Sequence, residues 1–420
     1  QHTNAHYNRN NQNNLTRGHK VDVGELEAEW LQSAGLGSLA APFAVGREVS
    51  EAQLGEAVRP LPREQAAAVR RRVRRLNRTV RRKRAASRAK KPDIRDVFRD
   101  LEVCINDSRA IVAFRRISGV ANYGQGFAIF TRQSNPEMGG EWPEEASTVD
   151  VESLPESLLK KLTPLVWLEV TTLFDKYSLP FHKRKPTLFR ICKFSEGSVF
   201  GVSLETLVRK DMLLWEETNS VPRILLRLST GLTTRAREEG LLRVPGNKQK
   251  VTSLQDFYEI FAFIALLRAG SHDLAAVFKR FLRDLPQSPL TAELMRLFYH
   301  TFALTGTTQG RALNLLVLLL PAEQRATLRE ILSVVRTIVD HRDVNKMTEH
   351  NVAMIIAPAL FPPSILIKSS DSIETQLSTA ANSCHVTEAL LRWADPLWKV
   401  PPSLLTAAQT KPSPRRHQHT

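Results

Sequence analysis

Three short blocks in the second half of the chain combine residue types that could act on a charged ligand. They are Glu-Gly-Leu-Leu-Arg-Val-Pro-Gly at 239–246, Lys-Arg-Phe-Leu-Arg-Asp-Leu-Pro at 279–286, and Asn-Lys-Met-Thr-Glu-His-Asn-Val-Ala at 345–353. The first block places Arg243 in a turn bounded by glycine and proline, from which an arginine can extend outward. No block supplies a nucleophile or metal ligands of its own. The chemistry they favour is the presentation of positive charge, which could act in a partner's active site.

The other polar residues of the blocks lie at helical positions. Lys279 and Arg283 are four residues apart and therefore share one face of a helix. Asn351 falls in the first turn of a helix that Thr348 can cap. Taken singly, each has an ordinary interpretation: Arg243 as a solvated arginine, the Lys/Arg pair as a solvated basic face, and Asn351 as a residue that bonds its own backbone.

The elements that must position these residues are predicted to be helices. The clearest amphipathic pattern has spacings i, i+3, i+4, i+7, i+10 and i+11, and its members are Leu328, Ile331, Leu332, Val335, Ile338 and Val339. Pro222 is well suited to the first turn of a helix that begins near Ile224, and Gly240 fits a helix C-terminus ahead of Arg243. No alternating strand pattern of convincing length occurs between residues 155 and 400. The sequence therefore predicts an all-α domain.

Composition indicates a globular protein with one unusual segment. The chain has 420 residues, enough for two or three domains, with 42% hydrophobic and 24% charged residues. Its net charge is +16, but thirteen Lys or Arg and no acidic residue lie between Arg70 and Lys91, so the rest carries only about +3. The excess charge is local and says little about the remaining surface.

Cysteine usage and hydropathy favour a reducing, cytoplasmic compartment. Cys104, Cys192 and Cys384 are far apart, which gives neither a disulfide framework nor a metal-ligand spacing. No apolar run approaches the roughly 18 residues that span a bilayer. No secretory signal is visible in the sequence, which begins with Gln1.

The pattern along the chain divides it into six segments. Residues 1–23 are predicted to be disordered because they are rich in Asn and almost free of apolar residues. The segments that follow are a helical region at 24–100 with a basic helix at 64–91, an irregular segment and acidic linker at 101–154, a helix at 155–197, the main helical domain at 198–400, and a disordered basic tail at 401–420.

The basic helix carries one narrow apolar stripe on an otherwise cationic surface. The stripe consists of Val69, Val73, Leu76 and Val80. Four interpretations remain open at this point. The stripe could pack on the main domain, the arginines could bind anionic lipid, the segment could serve nuclear import or non-specific nucleic-acid binding, or it could bind a protein partner.

The three blocks together resemble the RhoGAP domain, the GTPase-activating module for Rho-family small G proteins. Further motifs resemble its entry and its central helices: Phe-Gly-Val-Ser-Leu at 200–204, Leu-Leu-Pro-Ala-Glu at 319–323 and Arg-Ala-Thr-Leu at 325–328. The resemblance covers about residues 198–400. Upstream, Gly-Glu-Leu-Glu-Ala-Glu-Trp-Leu at 24–31 is similar to the subgroup of Rho GTPase-activating proteins 18, 28 and 40, with 40 the most similar member.

This resemblance implies a role for each residue. Arg243 corresponds to an arginine finger inserted into the G protein, Lys279 to an anchor for the G protein, Arg283 to a support of the finger loop, and Asn351 to a contact with the G protein or that loop. The implied partner is a Rho-family GTPase in its GTP-bound form. GTP and Mg²⁺ would belong to that partner, so the chain would need no cofactor and would be an activator rather than an enzyme. An anionic membrane surface is a further candidate partner through residues 70–91.

The sequence departs from the usual RhoGAP pattern in three places. Ala359 stands where Asn is usual, Gln-Ser-Pro-Leu at 287–290 replaces Glu-Pro-Leu-Leu, and Leu-Ala-Ala-Val-Phe at 274–278 is a loose match. These departures keep open a second hypothesis, a Rho-binding module with weak or absent catalysis. A nucleic-acid binder is disfavoured, because no aromatic platform or base-reading motif accompanies the arginines.

Overall fold

The computed structural model of the chain describes residues 22–89, 149–181, 199–216, 218–256, 269–367 and 370–410, without the side chains of 86–89 and 253–256. These residues fall into two compact units, one with the helices before residue 90 and one with the helices after residue 148. Most of the segments predicted to be disordered or irregular, at 1–23 and 101–154, lie outside the described residues.

The described residues of the N-terminal unit form four helices. They are α1 (Val23–Ser33), α2 (Gly37–Ala44), α3 (Glu51–Val58) and α4 (Arg63–Ala89). Gly35, at φ +74°, ends the first helix, as glycine does most readily in the left-handed region. Ser50 and Gln53 form a reciprocal capping box that starts α3.

The apolar stripe of the basic helix is buried inside this unit. Val69, Val73, Leu76 and Val80 are at most 2% exposed, and α4 packs against α2 and α3. The side-chain amide of Asn77 exchanges two hydrogen bonds of 2.9 Å with the backbone of Val49. The stripe therefore has its packing partners within its own unit, and the outer face of α4 is left to the arginines.

One arginine of α4 belongs to the core rather than to the surface. Arg72 is 3% exposed, lies 4.6 Å from the ring centre of Trp30, and donates to Glu27 at 3.1 Å. Arg75 adds a second bond to the same carboxylate at 3.3 Å. A buried charge needs such compensation, because an isolated ion in the interior is strongly disfavoured.

The C-terminal unit is also helical, and the all-α prediction is confirmed. Its described residues up to 340 form α5 (Glu156–Lys176), α6 (Leu204–Trp215), α7 (Arg223–Thr233), α8 (Lys248–Asp256), α9 (Ser271–Asp284), α10 (Met295–His300), α11 (Gly306–Leu318) and α12 (Ala322–Asp340). The described residues that follow form α13 (Arg342–Asn345), α14 (Glu349–Leu360), α15 (Pro363–Leu366), α16 (Ile373–Arg392) and α17 (Pro402–Thr410), and there are 3-10 turns at Val151–Ser153, Thr301–Ala303 and Pro396–Trp398. In the described residues, β pairing is limited to one isolated bridge between Asp150 and Lys399.

The predicted helices around the site are present, but the structure corrects the position of Gly240 and the prediction for the C-terminal tail. All members of the α12 stripe are buried except the half-buried Val339, and Thr348 caps α14. The helix that follows Pro222 ends at Thr233, so Gly240 lies in a turn rather than at a helix C-terminus. The tail predicted to be disordered from residue 401 contains α17, because its apolar residues Leu404 and Ala408 pack into the core, where α17 contacts α5.

Ion pairs tie the start of this unit to α12. Arg325 donates to the carboxylate of Glu152 at 2.6 and 3.3 Å, and Arg329 to that of Asp150 at 3.1 and 2.9 Å. Burial by itself would raise the pKa of Asp150. The hydrogen bonds from Arg329 and the Glu152 amide, with the charges of Arg329 and Lys399, outweigh it and leave that pKa lowered.

Candidate functional site

Arg243 lies on a turn-rich segment between α7 and α8, and its side chain is exposed. The segment folds back on itself, because the N–H groups of Arg243 and Val244 both donate to the carbonyl of Gly240 at 2.9 Å. Gly240 is buried at φ +69°, and a Cβ there would lie 2.7 Å from Val244 Cγ2. Glycine is therefore favoured at this position by both conformation and space.

The backbone just before the arginine is in an unusual conformation. Leu242 has φ +72°, a region that side chains other than glycine rarely occupy, and its side chain is completely buried. Such a residue costs on the order of 1–3 kcal/mol and persists only when its surroundings hold it. Here the burial of the leucine side chain and a hydrogen bond to its carbonyl do so, which fixes the direction in which Arg243 leaves the turn.

That hydrogen bond comes from Lys279 on α9, whose ammonium donates to the carbonyl oxygen of Leu242. The lysine is half-buried. Burial lowers the pKa of Lys279, and the nearby charge of Arg283 lowers it further. The structure thus brings Lys279 and the Arg243 turn together through the backbone of the turn.

A buried asparagine supports the turn from the opposite side, and its importance was not predicted from the sequence. Asn345 is fully buried at the end of α13, and its carbonyl accepts a 2.8 Å hydrogen bond from the N–H of Gly240. Its side chain donates to the carbonyls of Ala236 at 2.7 Å and Ile338 at 2.6 Å, and accepts from the N–H of Met347 at 2.7 Å. The carbonyl and the side chain of Asn345 therefore join the Arg243 segment, at Ala236 and Gly240, to α12 and to the residue Met347 ahead of α14.

The far end of the segment is held by the start of α9. Asp273 is buried and accepts a 2.6 Å hydrogen bond from the N–H of Asn247. A Cβ at Gly246 would lie 2.8 Å from the Cα of Asp273 and from the carbonyl oxygen of His272, so the backbones are in close contact. The exposed arginine is thus carried by a segment that is held near residues 240, 242 and 247.

The other two predicted site residues are close in the chain to this framework but contact it less. Arg283 is exposed one helical turn beyond Lys279, and within the described residues it donates no hydrogen bond. Asn351 is half-buried and donates to the carbonyl of Lys346 at 3.3 Å. This bond reaches the backbone five residues earlier in the chain, just before α14, and the role of Asn351 toward a partner stays a prediction.

The departures from the family pattern lie in the core. Ser288 is buried, donates to the carbonyl of Leu360 at 2.6 Å and accepts from the N–H of Leu290 at 3.2 Å. Ala359 is only 6% exposed on α14. The surface that carries Arg243 is formed by other residues.

The site as a whole offers a positioned cation and exposed apolar neighbours. Val244 on the turn, Val344 on α13 and Met354 on α14 are exposed. Among the described residues, no group of three His, Cys, Asp or Glu side chains could hold a metal ion. Nor is any helix in those ranges long and apolar enough to cross a membrane. An exposed guanidinium on a backbone that is held in place is suited to insertion into another protein.

Residues 222–365 match the RhoGAP domain. This range contains Arg243, Lys279, Arg283 and Asn351. Residues 9–84 match a second model, the N-terminal SAM domain of proteins like Rho GTPase-activating protein 18. Helical periodicity predicts helices in this range without indicating this domain, and the match includes most of α4.

Several curated proteins are similar to this chain over most of its length. The Rho GTPase-activating protein conundrum of Drosophila melanogaster is 39% identical over 62% of the chain and 43% of its own length. Rho GTPase-activating protein 18 of Mus musculus is 30% identical over 90% of the chain and 64% of its own length. Rho GTPase-activating protein 40 of Mus musculus is 28% identical over 90% of the chain and 61% of its own length.

These relatives confirm the resemblance to the RhoGAP subgroup. The prediction that member 40 is the most similar is wrong, since conundrum and member 18 show higher identity. The chain spans between 43% and 64% of the length of these three relatives.

Proposed function

We propose that this chain is a GTPase-activating protein for Rho-family small G proteins and that Arg243 acts as its arginine finger. The observation that carries the proposal is an exposed guanidinium on a turn held by Asn345, Lys279 and Asp273, within the range that matches the RhoGAP domain. A finger must be exposed to reach its partner and fixed to avoid reorganisation when it arrives.

The chemistry follows from where charge develops during GTP hydrolysis. The phosphate oxygens become more negative in the transition state, and a guanidinium in a site closed to water stabilises them strongly. Fingers of this kind accelerate hydrolysis by roughly 10³–10⁵ in related G-protein systems. The GTP and Mg²⁺ belong to the partner, so this chain is an activator without an active site of its own.

The supporting residues divide by what they contact. Lys279 positions the turn through the carbonyl of Leu242, while the exposed Arg283 and the half-buried Asn351 are available to the G protein. We also propose that the partner is bound in its GTP form and that the protein works in the cytoplasm. The three widely spaced cysteines support that location.

Single-turnover GTP hydrolysis by a panel of Rho-family proteins, with and without the full chain, tests the proposal. We expect strong stimulation by the wild type and a loss of at least about 100-fold in Arg243→Ala. Arg243→Lys should remain impaired, because lysine lacks the planar fork of donors. Arg237→Ala is the matched control, since Arg237 is also exposed on the same segment, and it should stimulate normally.

Binding to the GTP-loaded partner separates catalysis from recognition. Arg243→Ala should still bind, because the rest of the surface is intact. Full stimulation by Arg243→Ala would overturn the finger assignment. Binding by the wild type without stimulation of any panel member would instead establish the alternative, a catalytically inactive Rho-binding module.

A further inference from the structure

The outer face of α4 carries a row of arginines for which the described residues provide no ion-pair partner. Arg70, Arg74, Arg78 and Arg82 recur every four residues and all are exposed. Their neighbours on the helix differ, since several are paired with acids: Arg75 with Glu27, Arg81 and Arg84 with Glu48, and Lys83 with Asp22. The row is thus a set of uncompensated charges rather than one side of a network.

The fold keeps these four arginines on the solvent-facing side of α4. The opposite face of α4 is the buried stripe, so the helix cannot turn its apolar side outward without unfolding the unit. Positions four apart form a ridge on a helix, and twelve residues at 1.5 Å each span about 18 Å. Glu64 is the single acidic residue of the helix and lies six residues before the row begins. The result is a rigid cationic ridge.

The composition of the ridge favours a ligand that presents many negative charges without a sequence to be read. The helix contains no aromatic residue on which a base could stack. Its asparagine, Asn77, is bound to the backbone of Val49, and the hydroxyl of Thr79 donates to the carbonyl of Arg75. The amide of Asn77 and the hydroxyl of Thr79 are therefore already bonded, and the helix offers a ligand mainly the positive charge of its arginines.

We propose that the ridge formed by Arg70, Arg74, Arg78 and Arg82 docks the protein on an anionic bilayer surface by charge alone, without insertion of α4. A bilayer rich in acidic headgroups supplies a plane of negative charge that complements such a ridge. Amphipathic helices that lie in a membrane bury their apolar face in it. Here that face is already buried in protein. The inference concerns the N-terminal unit and does not depend on the proposed activity.

Docking by charge alone predicts how strongly vesicle binding depends on the number of arginines and on the salt concentration. Each arginine near an anionic surface contributes roughly a five-fold increase in partitioning, and the attraction decays within a Debye length of about 8 Å at physiological salt. Loss of all four arginines should therefore reduce vesicle binding by more than about 100-fold. Raising the salt to about 0.5 M should abolish the binding of the wild type.

Co-sedimentation of the full chain with vesicles tests the proposal. Vesicles of phosphatidylcholine with about one third phosphatidylserine should bind the wild type, and pure phosphatidylcholine should not. The variant with Gln at positions 70, 74, 78 and 82 should lose binding. A control that replaces Lys160, Arg209, Arg280 and Arg336 by Gln removes the same charge from exposed ion pairs of the C-terminal unit and should still bind.

A variant with Lys at the four ridge positions keeps the charge and should bind like the wild type. Its failure to bind, with normal circular dichroism, would overturn docking by charge alone. Equal losses in the ridge variant and the control would overturn the assignment to the ridge. If a random RNA or DNA duplex binds through the same four residues and vesicles do not, the ligand of the ridge is nucleic acid and the membrane proposal is overturned.

Discussion

The α4 ridge and the Arg243 turn use arginine in opposite ways. On α4, helical periodicity alone distributes many arginines over an exposed face, and an apolar stripe on the other side holds the helix. On the turn, one arginine is directed outward by hydrogen bonds from residues far away in the sequence, at 279 and 345. The comparison teaches that the density of positive charge does not single out Arg243, whereas the hydrogen bonds that hold its backbone do.

The two regions should also respond differently to substitution. Exposed charges on a ridge contribute similar small amounts, so the loss of one is tolerated. The turn depends on a few buried polar groups, and the loss of one leaves its partners unbonded in the interior. Single substitutions should therefore affect the turn far more than the ridge.

Asn345→Ala is expected to have the largest effect on stability. It removes a side chain that satisfies two carbonyls and one N–H, and the orphaned groups should lower the free energy of unfolding by about 3–5 kcal/mol. Stimulation of GTP hydrolysis per folded molecule should fall as well, because Ala236 loses its side-chain partner and the carbonyl of residue 345, which accepts from the N–H of Gly240, is held less firmly. Urea unfolding and single-turnover hydrolysis on the same samples measure both.

Asn314→Ala is the matched control for that prediction. Asn314 is also completely buried and donates to three carbonyls, those of Pro396, Leu397 and Lys399, which belong to the other end of the domain sequence. A comparable loss of stability with normal stimulation is expected. If both variants lose stimulation equally, Asn345 acts through general stability and not through the turn.

Glu27→Gln addresses how α4 is held. It removes the charge that compensates the buried Arg72, and breaking such a pair costs about 3 kcal/mol or more. Hydrogen exchange of the α4 amides should therefore accelerate, while exchange in α12 stays unchanged. Glu48→Gln is the control, because its arginine partners are exposed and such pairs contribute about 0–1 kcal/mol. Equal acceleration in both variants would contradict a special role for the buried pair.

Periodicity predicted the helices well because it reports a local pattern. The stripes of α4 and α12 are buried as their spacings indicate, and Thr348 caps its helix. The packing partners of the α4 stripe could not be predicted in the same way. They lie on α2 and α3, and pairing between helices depends on shape and not on spacing.

The site was predictable in its residue types but not in its connections. Arg243 is exposed on a turn, as its glycine and proline neighbours indicate. The importance of Asn345 is invisible in sequence because its partners, Ala236 and Ile338, are 109 and 7 residues away. A buried asparagine just before a left-handed lysine, Lys346 at φ +61°, is a signal that appears only with the backbone in hand.

The smallest effect is expected at Asp150, because its ion-pair partner Arg329 is partly exposed to solvent. Its pKa is lowered, so the ion pair with Arg329 stabilises the domain fully above the ordinary carboxyl value of 3.8 and is lost as pH falls through the lowered value. Asp150→Asn should therefore cost about 1 kcal/mol at pH 7, since Arg329 is substantially exposed. The difference in stability from the wild type should shrink below about pH 3.8.

Thermal unfolding at pH 7 and pH 3.5 measures this difference. Glu156→Gln, which removes an exposed ion pair with Lys160, is the control and should not shift the unfolding midpoint. A constant difference across pH would show that Asp150→Asn acts through packing and not through the loss of the ion pair with Arg329.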